Sequence, residues 1–503
     1  MRVKPLLWIV AVCWCVTGDM YAAGREEAQL VDAVKSGNME AVRRVVKNRS
    51  VNAAEVDGTT ALHWAVRADN LGLVRLLLRA GADAKLANRY GVRPLTLAAI
   101  NGNAAMNEML LAAGADPNTA LPAGETVVMT AARTGKLDAL QVLLSHGGAA
   151  NARERSLGET ALMWAAAENH PGAVKALAEA GADLNARSRT LSLPPMKFAT
   201  EAMITTAFPR GSWTALMYAA REGAVEGARA LADAGADLNL TDPDGTTALV
   251  FAIINGHFDV AAVLLDKGAD PNVADSTGMA ALYAATEMHT LDTVLSLPPQ
   301  RVTGPLDAVD LVKALLAHKA NPNARLTKPL LPRHHNPGDG ALGEGTTPLM
   351  RAARAGDIDV VRLLLEGGAD PMIRQKNHTT ALMFASGLGR TSLFEADRPW
   401  SEAKAIEVVR MCLEHGAEID AFNDLGQTPV HGAAALGASS IITFLAERGA
   451  RLTIRDKEGR TPLDLALAGS KGEDGSTHVN DKTVALLRRL TTETQTKGIS
   501  RSR

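Results

Sequence analysis

A short alternation of polar and apolar positions returns all along the chain. It reads TALHWA at 60–65, RPLTLA at 93–98, TVVMTA at 126–131 and TALMWA at 160–165. It continues as TALMYA (214–219), TALVFA (247–252), AALYAA (280–285) and TPLMRA (347–352), and ends as TALMFA (380–385), TPVHGA (428–433) and TPLDLA (461–466). A second, more apolar phrase follows most copies, as in LLLRAGADA (76–84), LLDKGADPN (264–272) and LLLEGGADP (363–371). The opening Thr is suited to cap a helix start, and Pro or Ala after it fits the first turn. A short helix is predicted there, ending near Gly135, Gly223 or Gly356. A second helix carries apolar residues at helical spacing, such as Val74, Leu77 and Leu78, or Val361, Leu364 and Leu365. Gly81, Gly114, Gly181, Gly235 and Gly268 are placed to stop it in the left-handed conformation. No such unit can bury its apolar face alone, so the units are predicted to stack into one continuous core.

The interval is regular. Gly58, Gly91 and Gly124 are spaced 33 residues apart, and Gly158 follows 34 later. Phrases, capping residues and period together resemble the ankyrin repeat, over about residues 25–490. The resemblance implies an all-α fold, an ankyrin-repeat solenoid of about twelve helix pairs with β-hairpin fingers and four insertions. It also implies a single repeat domain over 24–490, with an N-terminal cap repeat at 24–57 and a C-terminal cap at 459–490. Residues 491–503 read as a disordered basic tail. The phrasing further resembles a group of exported bacterial ankyrin proteins.

The period breaks in three places. Gly158 to the matching Ser212 is 54 residues, Gly278 to Gly345 is 67, and His378 to Gly426 is 48. The extra residues fall near 190–211, 289–306, 327–343 and 388–402. By the resemblance, the first and third lengthen β-hairpin fingers and the other two thicken the opposite edge. Such insertions are either tolerated surface drift or a pair of fingers flanking one stretch of groove.

Composition narrows the function classes. A formal net charge of −2 gives no global basic field for nucleic acid or an anionic membrane. Aromatic residues are only 4%, in keeping with a fold packed by Ala and Leu. Arg2 and Lys4, the apolar run Leu6 to Val16 and the small residues Ala22, Ala23 and Gly24 form the layout of a signal peptide over 1–23. Eleven apolar residues fall short of the roughly 20 that span a bilayer. A periplasmic or secreted location is therefore expected, with no membrane insertion after cleavage. Cys412 would be the one thiol of the mature chain. It takes the repeat position of Leu364, which reads as structural and buried.

Candidate chemistry is sparse. Gly338, Gly340 and Gly343 spell GxGxxG without the strand and long helix a nucleotide site needs. Ser401 and Lys404 spell SxxK without its supporting motifs. His334 and His335 with Asp339 and Glu344 could hold zinc, but a loop offers little rigidity for it. His63 and His431 read as bonding to backbone between neighbouring units. Trp64, Leu97, Trp164, Tyr218, Phe251, Phe384 and Leu465 share one repeat position, open to packing between units or to ligand contact. Arg67, Arg133, Arg221 and Arg354 share another, open to a solvated helix end or to an interface anchor. Phe198, Met203, Ile204 and Phe208 on the first finger, with Trp213 after it, read either as an exposed binding patch or as residues folded back on their own repeats. The reading is a monomeric, non-catalytic scaffold without cofactor or metal. Another protein, not nucleic acid, would bind at Phe198, Phe208, Trp213, Arg221, Arg354, Arg67 and Arg133. The alternatives are a metal-dependent hydrolase using the loop histidines, or a structural spacer.

Overall fold

The computed structural model describes residues 29–46, 51–191, 196–197, 204–205, 210–290, 302–328, 341–390, 401–471 and 477–501. Within these, every TALHWA-like phrase opens a helix. The Thr at its start is extended and caps it: the Thr126, Thr160, Thr214 and Thr347 side chains each accept the backbone N–H three residues on. Helices of seven or eight residues do not persist alone in water. Packing must hold them, and the residues facing their neighbours are small. Ala65, Ala98, Ala131, Ala165 and Ala219 are fully buried, which lets successive inner helices approach closely. The second helix of each pair ends as the sequence predicts, with Gly81, Gly114, Gly181, Gly235 and Gly268 at φ between 79° and 93°.

The sequence reads as one repeat domain. The internal contacts group into two compact units, residues 1–190 with 211–237 and residues 191–210 with 238–503. In the first unit the inner helices Ala61–Arg67, Pro94–Asn101, Val127–Arg133, Ala161–Ala167 and Ala215–Glu222 pack in that order. Outside them lie Met39–Val46, Leu71–Arg79, Ala104–Ala112, Leu137–Ser145, Pro171–Glu179 and Val225–Asp233. In the second unit the inner row runs Ala248–Ile254, Ala281–Thr290, Pro348–Ala355, Ala381–Ala385, Pro429–Leu436 and Pro462–Ala468. Its outer row includes Phe258–Asp266, Ala308–Ala317, Ile358–Glu366, Glu402–Glu414 and Ser439–Glu447. The fold is an all-α repeat solenoid.

Cys412 is buried and unbridged, and burial pushes its thiol up to about 12. The first insertion contains a hairpin: Met196 pairs with Thr205 and Lys197 with Ile204 in antiparallel register. At its base Thr190–Leu191 pairs with Arg210–Gly211. The last helix runs Asp481–Arg501 and takes in residues 491–501 of the stretch read as a disordered tail; residues 502–503 lie outside the described residues. No proline interrupts this stretch, and Arg489 reaches Glu493 one turn on at 3.9 Å, a pairing that favours continued helix. Residues 1–23, read as a signal peptide, lie outside the described residues.

Candidate binding surface

The inner helices of the first unit display a connected row of aromatic, basic and acidic side chains. It begins at Trp64, half-buried at the fifth position of its phrase. Its indole Nε1 donates to Glu55 at 2.7 Å, and Lys35 lies 4.3 Å from the ring centre. Arg67 lies over the same ring at 5.2 Å. Lys35 also pairs with Glu55 at 2.6 Å and, together with the indole, holds that carboxyl below the usual range.

The pattern returns further along the same unit, now linked from repeat to repeat. Arg133 ends its helix 4.9 Å from the Trp164 ring of the next repeat and is braced by Glu125 at 3.1 Å. Trp164 Nε1 donates to Glu159 at 2.7 Å. The other oxygen of Glu159 accepts from the Tyr218 hydroxyl of the following repeat at 2.6 Å. Burial and this carboxylate push the Tyr218 phenol well above its ordinary range. Trp213 meets Tyr218 edge-on at 5.4 Å, and Arg221 lies 5.1 Å from the Trp213 ring and 3.1 Å from Glu222. Each arginine is thus held over an aromatic face yet stays exposed, and stacking of this kind reduces the ordering needed when a partner arrives.

Arg67, Arg133 and Arg221 therefore share one environment. Arg354 likewise lies over a ring of the next repeat, 5.7 Å from Phe384, but its reading as an exposed residue is corrected. It is only 6% exposed. The opening residues of the fourth insertion fold over it: its Nη1 donates to Leu388 O at 3.4 Å, and Arg390 Nη2 donates to Arg354 O at 3.2 Å. Trp213 is half-buried rather than exposed, because it leans on Tyr218 and Arg221. Phe198, Met203 and Phe208 lie outside the described residues, and Ile204 is placed only as backbone of the hairpin. The aromatic residues at the fifth phrase position differ between the units, while Leu465 of the second unit is half-buried like Leu97 of the first. Trp64, Leu97, Trp164 and Tyr218 are half-buried in the first unit, whereas Phe251 and Phe384 are core in the second.

Sequence reasoning missed the carboxylates that join the row. Glu125 and Glu159 each stand directly before a capping Thr in successive repeats, a signal that was there to read. The candidate zinc residues His334, His335 and Asp339 lie outside the described residues, and Glu344 pairs with Lys376 at 2.6 Å. Among the described residues no cluster of three metal-ligating side chains occurs, and no helix is long and apolar enough to cross a membrane. His63 and His431 bond to the backbone of the next repeat, as expected.

Stacked helix pairs with capped starts, left-handed stops and a polar-aromatic inner face define a repeat protein of the kind that presents a surface instead of enclosing a pocket. Sequence models of ankyrin repeats match residues 30–120, 95–188, 216–300, 307–396 and 401–446; the chain belongs to the ankyrin-repeat family. Among its relatives, Notch-regulated ankyrin repeat-containing protein A of Danio rerio is 42% identical over 90 residues, 17% of this chain and 80% of that protein. The Notch-regulated ankyrin repeat-containing protein of Homo sapiens is 40% identical over 77 residues, 14% of this chain and 68% of that protein. Diacylglycerol kinase zeta of Rattus norvegicus is 34% identical over 131 residues, 26% of this chain but 12% of the kinase. Ankyrin repeats imply protein partners.

Proposed function

We propose that this protein is a non-catalytic, monomeric scaffold that holds another protein, not nucleic acid, against the inner helices and fingers of its first unit. The linked row Arg133–Trp164–Glu159–Tyr218–Trp213–Arg221 carries the reading. Aromatic and arginine side chains dominate the energetics of protein interfaces when they are positioned in advance. Here they are fixed to one another across three repeats. The test is to isolate the partner and measure its affinity for Trp213→Ala and Arg221→Ala. Each should cost about 2 kcal/mol or more, with the thermal midpoint nearly unchanged. Normal binding by both variants removes this face from the interface.

We also propose that the scaffold is exported to the periplasm or secreted. The charged, apolar and small-residue stretches of residues 1–23 support this, as does the resemblance to exported bacterial ankyrin proteins. Mass spectrometry of the native protein should find an N-terminus between Ala23 and Arg25; a mature pool that keeps Met1 sinks the proposal.

A further inference from the structure

The fingers of the first unit carry arginines that close no ion pair among the described residues. Arg89, Arg155 and Arg189 occupy equivalent places in the turns between repeats, and all three are exposed. In each, the backbone N–H bonds to the preceding finger: Arg89 to Asp57 O at 2.7 Å, Arg155 to Ala123 O at 2.8 Å and Arg189 to Leu157 O at 2.5 Å. In each, the guanidinium then reaches one residue further back, to Val56 O at 2.8 Å, Pro122 O at 3.1 Å and Ser156 O at 2.9 Å. Carbonyl groups orient these cations without neutralising them. The nearby acids are held mainly by other groups, with only a weaker pull of the Arg89 charge on Asp57. Asp57 accepts the Thr59 N–H at 2.9 Å. Glu154 is buried and accepts from the N–H groups of Ser156, Leu157 and Glu159. A guanidinium has five N–H donors, so each keeps a pair free for a carboxylate. The same row exposes two apolar side chains, Val56 at 94% and Tyr90 at 64%.

We infer that this row of fingers binds an extended acidic polypeptide segment that bears an apolar residue toward the Val56 and Tyr90 end. The inference rests on the reading of the protein as a protein-binding scaffold. Stacked helices lie about 8–10 Å apart, and an extended chain rises about 3.3 Å per residue. One repeat therefore matches about three residues of ligand. Arg189 is one repeat beyond Arg155, and Arg155 is two beyond Arg89. Carboxylates at positions i, i+6 and i+9 meet all three, with an apolar side chain near i−3. The charge comb is matched to carboxylates in a bidentate pair. A nucleic-acid strand carries its charges about every 3.4 Å, several times denser than this comb, and only Tyr90 among these fingertip residues offers a ring for base stacking. The equivalent places in the second unit hold Pro243, Ser276, Thr327, Lys376, Asp424 and Lys457; none is an arginine, and Lys376 is already paired with Glu344. The arginine row is a property of the first unit.

The test is fluorescence anisotropy of the full chain with a dye-labelled fourteen-residue peptide of that spacing. The controls are a peptide of the same composition with contiguous glutamates, and a twelve-nucleotide oligo-dT. The wild type should bind the spaced peptide, and binding should weaken steeply with added salt. Arg89→Gln with Arg155→Gln and Arg189→Gln should weaken it about tenfold or more, and Tyr90→Ala should weaken it severalfold. The salt series and Tyr90→Ala decide the matter if the triple variant is unstable. No binding by the wild type, equal binding of the contiguous peptide, or equal binding of oligo-dT each overturns the inference. None of these touches the scaffold reading, which stands or falls on the partner's response to Trp213→Ala and Arg221→Ala.

Discussion

Gly211→Ala should open the base of the first long finger. Gly211 sits at φ +90°, where an L side chain costs roughly 1–2 kcal/mol by itself. A β-carbon there would lie 2.1 Å from the carbonyl oxygen of Arg189. That contact is with backbone, so no rotamer change relieves it. Either the Arg189 peptide or the returning strand must move, and both are tied down. Ser188 N–H donates to Trp213 O at 2.9 Å, and Trp213 N–H donates to Ser188 Oγ at 3.0 Å. A local loss of about 2–3 kcal/mol follows from strain and broken bonds together. Hydrogen exchange should show faster opening at Ser188 and Trp213, with the amides of Ala61–Arg67 unaffected. Unchanged protection at Ser188 and Trp213 would mean that the turn tolerates a side chain and that the close approach is not a constraint.

The second large effect is expected at the two buried histidines. His63 Nδ1 faces the Thr60 N–H at 3.2 Å and the Thr60 hydroxyl at 2.8 Å, while Nε2 faces Val92 O at 3.1 Å. His431 repeats this with Thr428 at 3.1 and 2.9 Å and Arg460 O at 3.3 Å. An N–H must donate and a carbonyl must accept, so each ring is neutral with its proton on Nε2. A second proton would place two donors face to face. Burial pushes both rings below the ordinary imidazole range, against the opposing pull of the carbonyls. The unfolded chain therefore takes up protons before the folded one. Stability is complete above the ordinary imidazole pKa and is lost as pH falls through it toward the depressed folded value. His63→Ala or His431→Ala leaves a buried Thr N–H without its acceptor and opens a cavity, at about 2–4 kcal/mol each. The two lie in different units and share no partner, so the costs should add. Urea titrations between pH 7 and pH 5 should show the wild type weakening on acidification and the double variant responding less. An equally steep response in both would place the acid sensitivity elsewhere.

Repeat structure was legible in the sequence because its signals are local. A capping Thr and a stopping Gly act within one turn of their own position, so Thr160 and Gly181 could be placed without knowing what packs on them. Cys412 could be placed by its register with Leu364 for the same reason. The surface was less legible because it depends on chain returning from a distance. Nothing near Arg354 announces that Leu388 and Arg390 will cover it, so its likeness to Arg133 holds for the ring beneath the guanidinium and fails for exposure. Glu159 joins Trp164 to Tyr218 across an insertion that hides their repeat spacing. The finger arginines escaped notice because their partners are carbonyl groups, which no side-chain pattern reveals. The C-terminal run failed in the opposite direction: its basic composition suggested disorder, while the helix continues through Gly498 to Arg501.

Among the described residues, three indole rings sit beneath a guanidinium, and two of them also donate their N–H to a carboxylate. Indole emission responds strongly to charge placed against the ring. The molecule thus has its own optical gauge, built at the place where a ligand would draw an arginine away. Trp64, Trp164 and Trp213 would each report on a different repeat, and single Trp→Phe replacements would tell their signals apart. Occupancy along the inner face could then be followed repeat by repeat in unlabelled protein, from the colour and intensity of its own fluorescence.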